Sequence, residues 1–177
     1  MGRLIYFLLI YNLFCQEDPT ENMIISKQVF TIEGGTSLGN FTCTYAMSQK
    51  DTLLAYDSRI SDKAVTYSIP SDKFACGNFL LNGDFRKTIK AKVYPYINVE
   101  ISGFRKTNSS FTCDLKLKLA GKEKVYMNTP LKKEGQTITG DLMVRFSDFD
   151  LIAPKKMGGL VKVRENIKIS IELTTLN

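Results

Sequence analysis

The chain has 177 residues, enough for one domain with a leader. It is 44% hydrophobic and 24% charged, which places it among globular chains and excludes disordered or collagen-like ones. It carries a formal charge of +6 and has no histidine and no tryptophan; the missing histidine excludes Ser-His-Asp and Cys-His catalysis and every histidine-based metal site.

The chain opens on Arg3 and the apolar run Leu4 to Phe14, a basic start and a short hydrophobic stretch that fit a secretory signal peptide and fall short of a membrane span. We expect residues 1–15 to be that peptide, cleaved after Cys15. Residues 16–28 then form an N-terminal linker, because Gln16 to Asn22 is polar and turn-like, and residues 29–177 form the folded domain. The alternative is a lipoprotein acylated on Cys15; the bulky Phe14 before it argues against this, since such sites favour small residues there. Either way the expected location is periplasmic or extracellular. Cleavage removes Arg3 and no acid, leaving +5.

Three cysteines remain after cleavage: Cys43, Cys76 and Cys113. An oxidising compartment lets one pair bridge, and three cysteines allow three pairings with one thiol left over. No Cys-x-x-Cys occurs, which argues against zinc. A buried, inert thiol is the alternative for each.

Further along, the dominant pattern has period two. Phe41, Cys43, Tyr45 and Met47 alternate with polar neighbours, as do Val65, Tyr67 and Ile69, and Ile97, Val99 and Ile101. Ser110 to Leu119 is the cleanest case, with Phe111, Cys113, Leu115, Leu117 and Leu119 on one face and Ser110, Thr112, Asp114, Lys116 and Lys118 on the other. Ile138, Gly140, Leu142, Val144 and Phe146 follow the same rule, then Ile167, Ile169, Ile171 and Leu173. Val29 to Ile32 and Lys124 to Leu131 are noisier candidates, making about eight strands. One segment differs. Asn82 to Ala91, with Asp84 as a candidate cap and Phe85 and Ile89 four apart, reads as a short helix stopped before Pro95. Ser147 to Asp150 reads as a further turn.

Short links such as Ala120 to Glu123 and Lys132 to Gln136 imply antiparallel neighbours. The expected fold is all-β: an antiparallel up-and-down, lipocalin-like barrel of about eight strands with one short helix. At about eight strands the interior is either filled by side chains or holds one small ligand. The residues expected to face it are Phe41, Tyr45, Tyr67, Ile69, Val99, Ile101, Phe111, Leu115, Leu117, Leu142, Val144, Phe146, Ile169 and Ile171. They suit a long hydrocarbon ligand and an ordinary dry core equally well. Cys43 and Cys113 fall on inward faces and Cys76 in the loop before the helix; if a bridge forms, we favour Cys43 with Cys76.

From Val29 to the C-terminus the chain resembles the YceI-like family of lipocalin-like barrels. The helix ending Ile89-Lys90-Ala91-Lys92-Val93-Tyr94-Pro95, the segment Asp148-Phe149-Asp150-Leu151-Ile152-Ala153-Pro154 and the closing strand from Val161 to Ile169 carry the resemblance, and Met157-Gly158-Gly159-Leu160 is similar to a single-domain exported branch. The chain departs from the family in its N-terminal strand, where only Gly34, Gly35 and Gly39 stand in for clearer glycines, and in the hairpin Ala120-Gly121-Lys122-Glu123. Some members hold isoprenoid lipids. The resemblance therefore implies a non-catalytic carrier that sequesters an apolar ligand, such as a polyisoprenoid, a quinone or a fatty-acyl lipid, in the barrel lumen, entered near the helix and the Met157 to Leu160 loop.

The alternative is a structural or interaction protein with a filled barrel. No enzyme site, metal site or cofactor is expected: Asp148 and Asp150 fit a turn better than an acid/base pair, and the glycine pairs lack a phosphate-loop context. Arg86, Lys87, Lys90 and Lys92 are either a solvated helix face or a transient contact with a membrane surface. Nucleic acid is not an expected partner.

Overall fold

In a computed structural model, which describes residues 21–55, 63–107 and 110–176, the alternating segments pair into one antiparallel sheet. The strands are β1 (Glu21–Thr36), β2 (Gly39–Met47), β3 (Asp51–Ala55), β4 (Val65–Pro70), β5 (Tyr96–Thr107), β6 (Ser110–Leu119), β7 (Lys122–Glu134), β8 (Thr137–Arg145), β9 (Lys155–Lys156) and β10 (Val161–Leu176). The order is β2-β1-β10-β8-β7-β6-β5-β4, with β3 continuing the β2 edge of β1 and β9 adding to β10. This is the expected up-and-down path, curled so that its apolar face turns inward. The expected leader, and the linker as far as residue 20, lie outside the described residues.

Period two in the sequence becomes period two in burial. In β6, Phe111, Cys113, Leu115, Leu117 and Leu119 are all buried while the residues between them are not. The hairpin from β6 to β7 turns on Ala120 and Gly121, both at positive φ (50° and 81°), as a two-residue turn between right-twisted strands requires. A Cβ on Gly121 would meet the Tyr94 ring, so this position needs glycine on two counts.

The two ends of the sheet meet between β2 and the segment after β4. Thr44 and Ala75 exchange backbone hydrogen bonds of 2.9 and 3.0 Å there, and Cys43 is bonded to Cys76 directly alongside. The disulfide thus staples the seam of the barrel. Cys113 is a free, fully buried thiol inside it.

Two boundaries differ from the sequence reading. Strand β1 starts at Glu21, inside the expected linker, and pairs β3 along Glu21 to Ile25. The alternation was hidden by an irregularity between Ile25 and Lys27 and by Gln28, a polar residue facing inward. Gln28 is fully buried because its amide is satisfied on both sides, donating to the Gln49 carbonyl and accepting from the Gln49 N–H. The helix α1 (Phe79–Thr88) begins three residues early, and its cap is Asn78 rather than Asp84. The Asn78 side chain accepts from the Leu81 N–H at 3.0 Å, which satisfies one of the free donors of the first turn. The expected turn after β8 is a short 3-10 turn, Phe146–Phe149, held by Asp148.

Candidate functional site: an apolar cavity beneath the helix

Helix α1 lies across one end of the barrel, here called the mouth. No residue of α1 is buried. Phe85 reaches down to pack, tilted, against Phe74 (5.2 Å between ring centres), and Ile89, just past the helix, is buried in the core. The helix roofs the barrel without filling it. Below it lies a cavity of about 140 Å³.

The barrel register shows how deep the cavity goes. Its lowest lining residues are Phe30 on β1, Ile69 on β4, Val99 on β5, Leu117 on β6 and Ile169 on β10. One step further along each strand lie Gln28, Tyr67, Ile101, Leu115 and Ile171, none of which lines it. Tyr67 is the cross-strand partner of Val99, and its ring is tilted against that of Phe30 at 5.7 Å. The Phe30–Tyr67 pair is therefore the floor. Beneath it the barrel is packed with Phe104, Phe111, Cys113, Leu115, Ile138 and Leu173, all buried.

The floor has one polar flaw. Tyr67 is fully buried and its hydroxyl makes no hydrogen bond of good geometry, although Gln28 and Asp51 lie close to it. Burial pushes its phenol well above the usual range, and the nearby Asp51 carboxylate adds to the shift.

Of the residues expected to face the lumen, Phe41, Ile69, Val99, Leu117, Phe146 and Ile169 line the cavity. Tyr67, Ile101, Phe111, Leu115 and Ile171 are buried at or below the floor. Val144 is buried in the wall level with Ile167 and does not reach the cavity. Tyr45, half-buried, packs at a tilt against Phe74, and Leu142 is half-buried against the core; neither lines the cavity. Alternation distinguishes inside from outside, but it carries no information on which layer of the inside is empty. Phe41 is placed by a close approach: it lies across its cross-strand partner Gly34, where any Cβ would collide with its ring.

The sequence reading did not place Phe30, Ile32, Phe74, Leu81, Phe85 or Ile89 at the site, yet all line it. The i, i+4 spacing of Phe85 and Ile89 was the available signal, since it marks the helix face that needs a partner. The seam disulfide also borders the cavity through Cys43 and Cys76. The cavity borders a groove of about 350 Å³ that shares Asp84, Thr88 and Pro154 with it and adds Lys87, Lys90, Asp150, Ile152 and Lys155. Gly158, Gly159 and Leu160 of the following loop do not line the cavity; their neighbour Val161 does.

Residues 25–175 match the YceI-like domain family. The chain belongs to this family. Similar solved structures agree in fold. A polyisoprenoid-binding domain from Saccharophagus degradans, implicated in plant cell wall breakdown, is 10% identical with a TM-score of 0.57, covering 87% of this chain and 97% of its own. The Campylobacter jejuni YCEI protein is 14% identical with a TM-score of 0.54, covering 99% and 92%. Burkholderia cenocepacia BcnA is 15% identical with a TM-score of 0.50, covering 83% and 94%. At these identities they speak to the YceI-like barrel alone. No curated protein is similar enough to this chain to count as a match.

Proposed function

We propose that this chain is an exported, non-catalytic binding protein that sequesters a lipophilic molecule by taking a terminal apolar segment of it into the cavity beneath α1. The observation that carries this reading is the cavity itself, walled by Phe30, Ile69, Val99, Leu117 and Ile169 and left empty above a packed floor. A cavity of about 150 Å³ with such a lining holds a benzene-sized group. The buried part of the ligand is therefore short, and the rest runs out past α1. The branched end of an isoprenoid or quinone tail fits this shape, and the polyisoprenoid-binding domain from Saccharophagus degradans supports the same class. Each buried methylene contributes about 0.8 kcal/mol, so affinity needs few polar contacts. The seam disulfide supports an oxidising compartment, and with it export.

A second reading, an interaction protein with a filled barrel, is favoured by the packed half below Tyr67. Filling the cavity separates the two. Val99→Phe and Ile169→Phe each add an apolar ring where there is space, at a cost of about 1–3 kcal/mol if the fit is imperfect. The carrier reading expects uptake of a short isoprenoid alcohol, measured by calorimetry, to fall at least about tenfold in either variant while the fold persists. Wild-type protein that takes up no such alcohol would favour the filled barrel.

A further inference from the structure

Four large apolar side chains are more exposed than any others among the described residues: Ile152 (85%), Phe79 (78%), Leu38 (77%) and Leu160 (76%). They come from four separate segments, yet each lies within two residues of one that lines the cavity. Leu38 follows Thr36, Phe79 precedes Leu81, Ile152 follows Leu151, and Leu160 precedes Val161. Hydrogen bonds hold two of these segments side by side: the Ser37 hydroxyl donates to the Leu160 carbonyl at 3.0 Å, and the Ser37 N–H to the Lys162 carbonyl at 3.0 Å. The four most exposed apolar side chains among the described residues thus flank the lining of the mouth.

The charge around this rim is cationic. Arg86, Lys87, Lys90, Lys155, Lys162 and Arg164 are all exposed there. The acids nearby are mostly engaged: Asp150 pairs with Lys122, Asp148 with Lys124 and Arg145, and Glu165 accepts from the Ser147 N–H. Apolar tips set in a ring of lysine and arginine are what an anionic bilayer surface receives, the tips entering the headgroup layer and the cations meeting lipid phosphates. We propose that the mouth of the barrel docks on anionic phospholipid membranes, with Leu38, Phe79, Ile152 and Leu160 inserted and the opening under α1 facing the lipid. The surface does not depend on what the cavity holds, because none of these four residues lines it.

The test is flotation of the full chain with phosphatidylcholine vesicles, with and without about a quarter phosphatidylglycerol. We expect binding to the anionic vesicles that weakens in high salt. In L38S/I152S/L160S it should fall at least about tenfold, because the apolar contacts are gone. In K87E/K155E it should fall on anionic vesicles and not on neutral ones. V125S/M143S, which removes exposed apolar groups from the barrel wall, should bind as wild type does. Thermal melts and circular dichroism establish that each variant is folded. Vesicle binding that survives the rim substitutions would overturn the proposal and assign the contact to Leu4 to Phe14, which every variant shares. So would rim-dependent dimers in sedimentation without vesicle binding, which would make the rim a contact between two copies of the chain, and so would no binding at all.

Discussion

Tyr67 sets the depth of the cavity, and Tyr67→Ala should deepen it. In the wild type, affinity for a series of straight-chain alcohols should rise about fourfold per added methylene, from about 0.8 kcal/mol each. The rise should stop once the tail touches the Phe30–Tyr67 floor, because the next layer (Ile101, Leu115 and Ile171) is packed. Removing the Tyr67 ring opens room for about three or four further methylenes, so the longer alcohols should bind about a hundredfold tighter to the variant than to the wild type. The same change costs about 3–5 kcal/mol of stability, as large-to-alanine changes in a packed core do. Phe30→Leu is the gentler variant, removing the other half of the floor. Tyr67→Phe is the control. It keeps the ring and deletes a buried hydroxyl that lacks a partner, so it should leave the length limit unchanged and be as stable as wild type or about 1 kcal/mol more so. Calorimetric titration reads the length dependence and circular dichroism the melts. If affinity levels off at the same chain length in wild type, Tyr67→Ala and Phe30→Leu, the floor does not limit the ligand.

Two predictions concern the cysteines. Opening the seam with Cys43→Ser and Cys76→Ser releases a cross-link between residues 33 apart, and should cost about 3–4 kcal/mol in urea unfolding; a loss under about 1 kcal/mol would mean that the Thr44–Ala75 contact holds the seam alone. Burial pushes the Cys113 thiol up to about 12, with Asp114 adding to the shift, so it should resist alkylation in the native protein at pH 9 and react on unfolding. Because the unfolded thiol ionises first, the stability linked to Cys113 is fully present below about pH 9 and is lost as pH rises toward about 12. Rapid native-state labelling of Cys113 would contradict its place inside the barrel.

Much of the barrel was legible because one face of each strand meets apolar neighbours and the other meets water. Ser110 to Leu119 reads the same in sequence and structure for that reason. The failures have local causes. Strand β3 is five residues long with only Leu53 and Ala55 buried, too short to show a period. The start of β1 was masked by Gln28, a polar side chain whose inward position makes sense only once its bonds to Gln49 are seen. The helix boundary moved because Asn78 and Asp84 are both competent caps, and the choice between them rests on where the chain leaves the seam at Cys76. The site was half legible. Phe41, Ile69 and Val99 were found as inward residues. The position of the cavity above a filled lower layer depends on how α1 spans the mouth and on two rings from β1 and β4 meeting across the barrel.

The central claim is that the space under α1 takes up an apolar ligand. Native mass spectrometry of the protein purified from an exporting host, with organic extraction of whatever is bound, tests it most directly. The account predicts a reproducible adduct of isoprenoid, quinone or fatty-acyl mass that is lost in Val99→Phe. A bare protein mass that gains nothing on incubation with isoprenoid alcohols or quinones would contradict it.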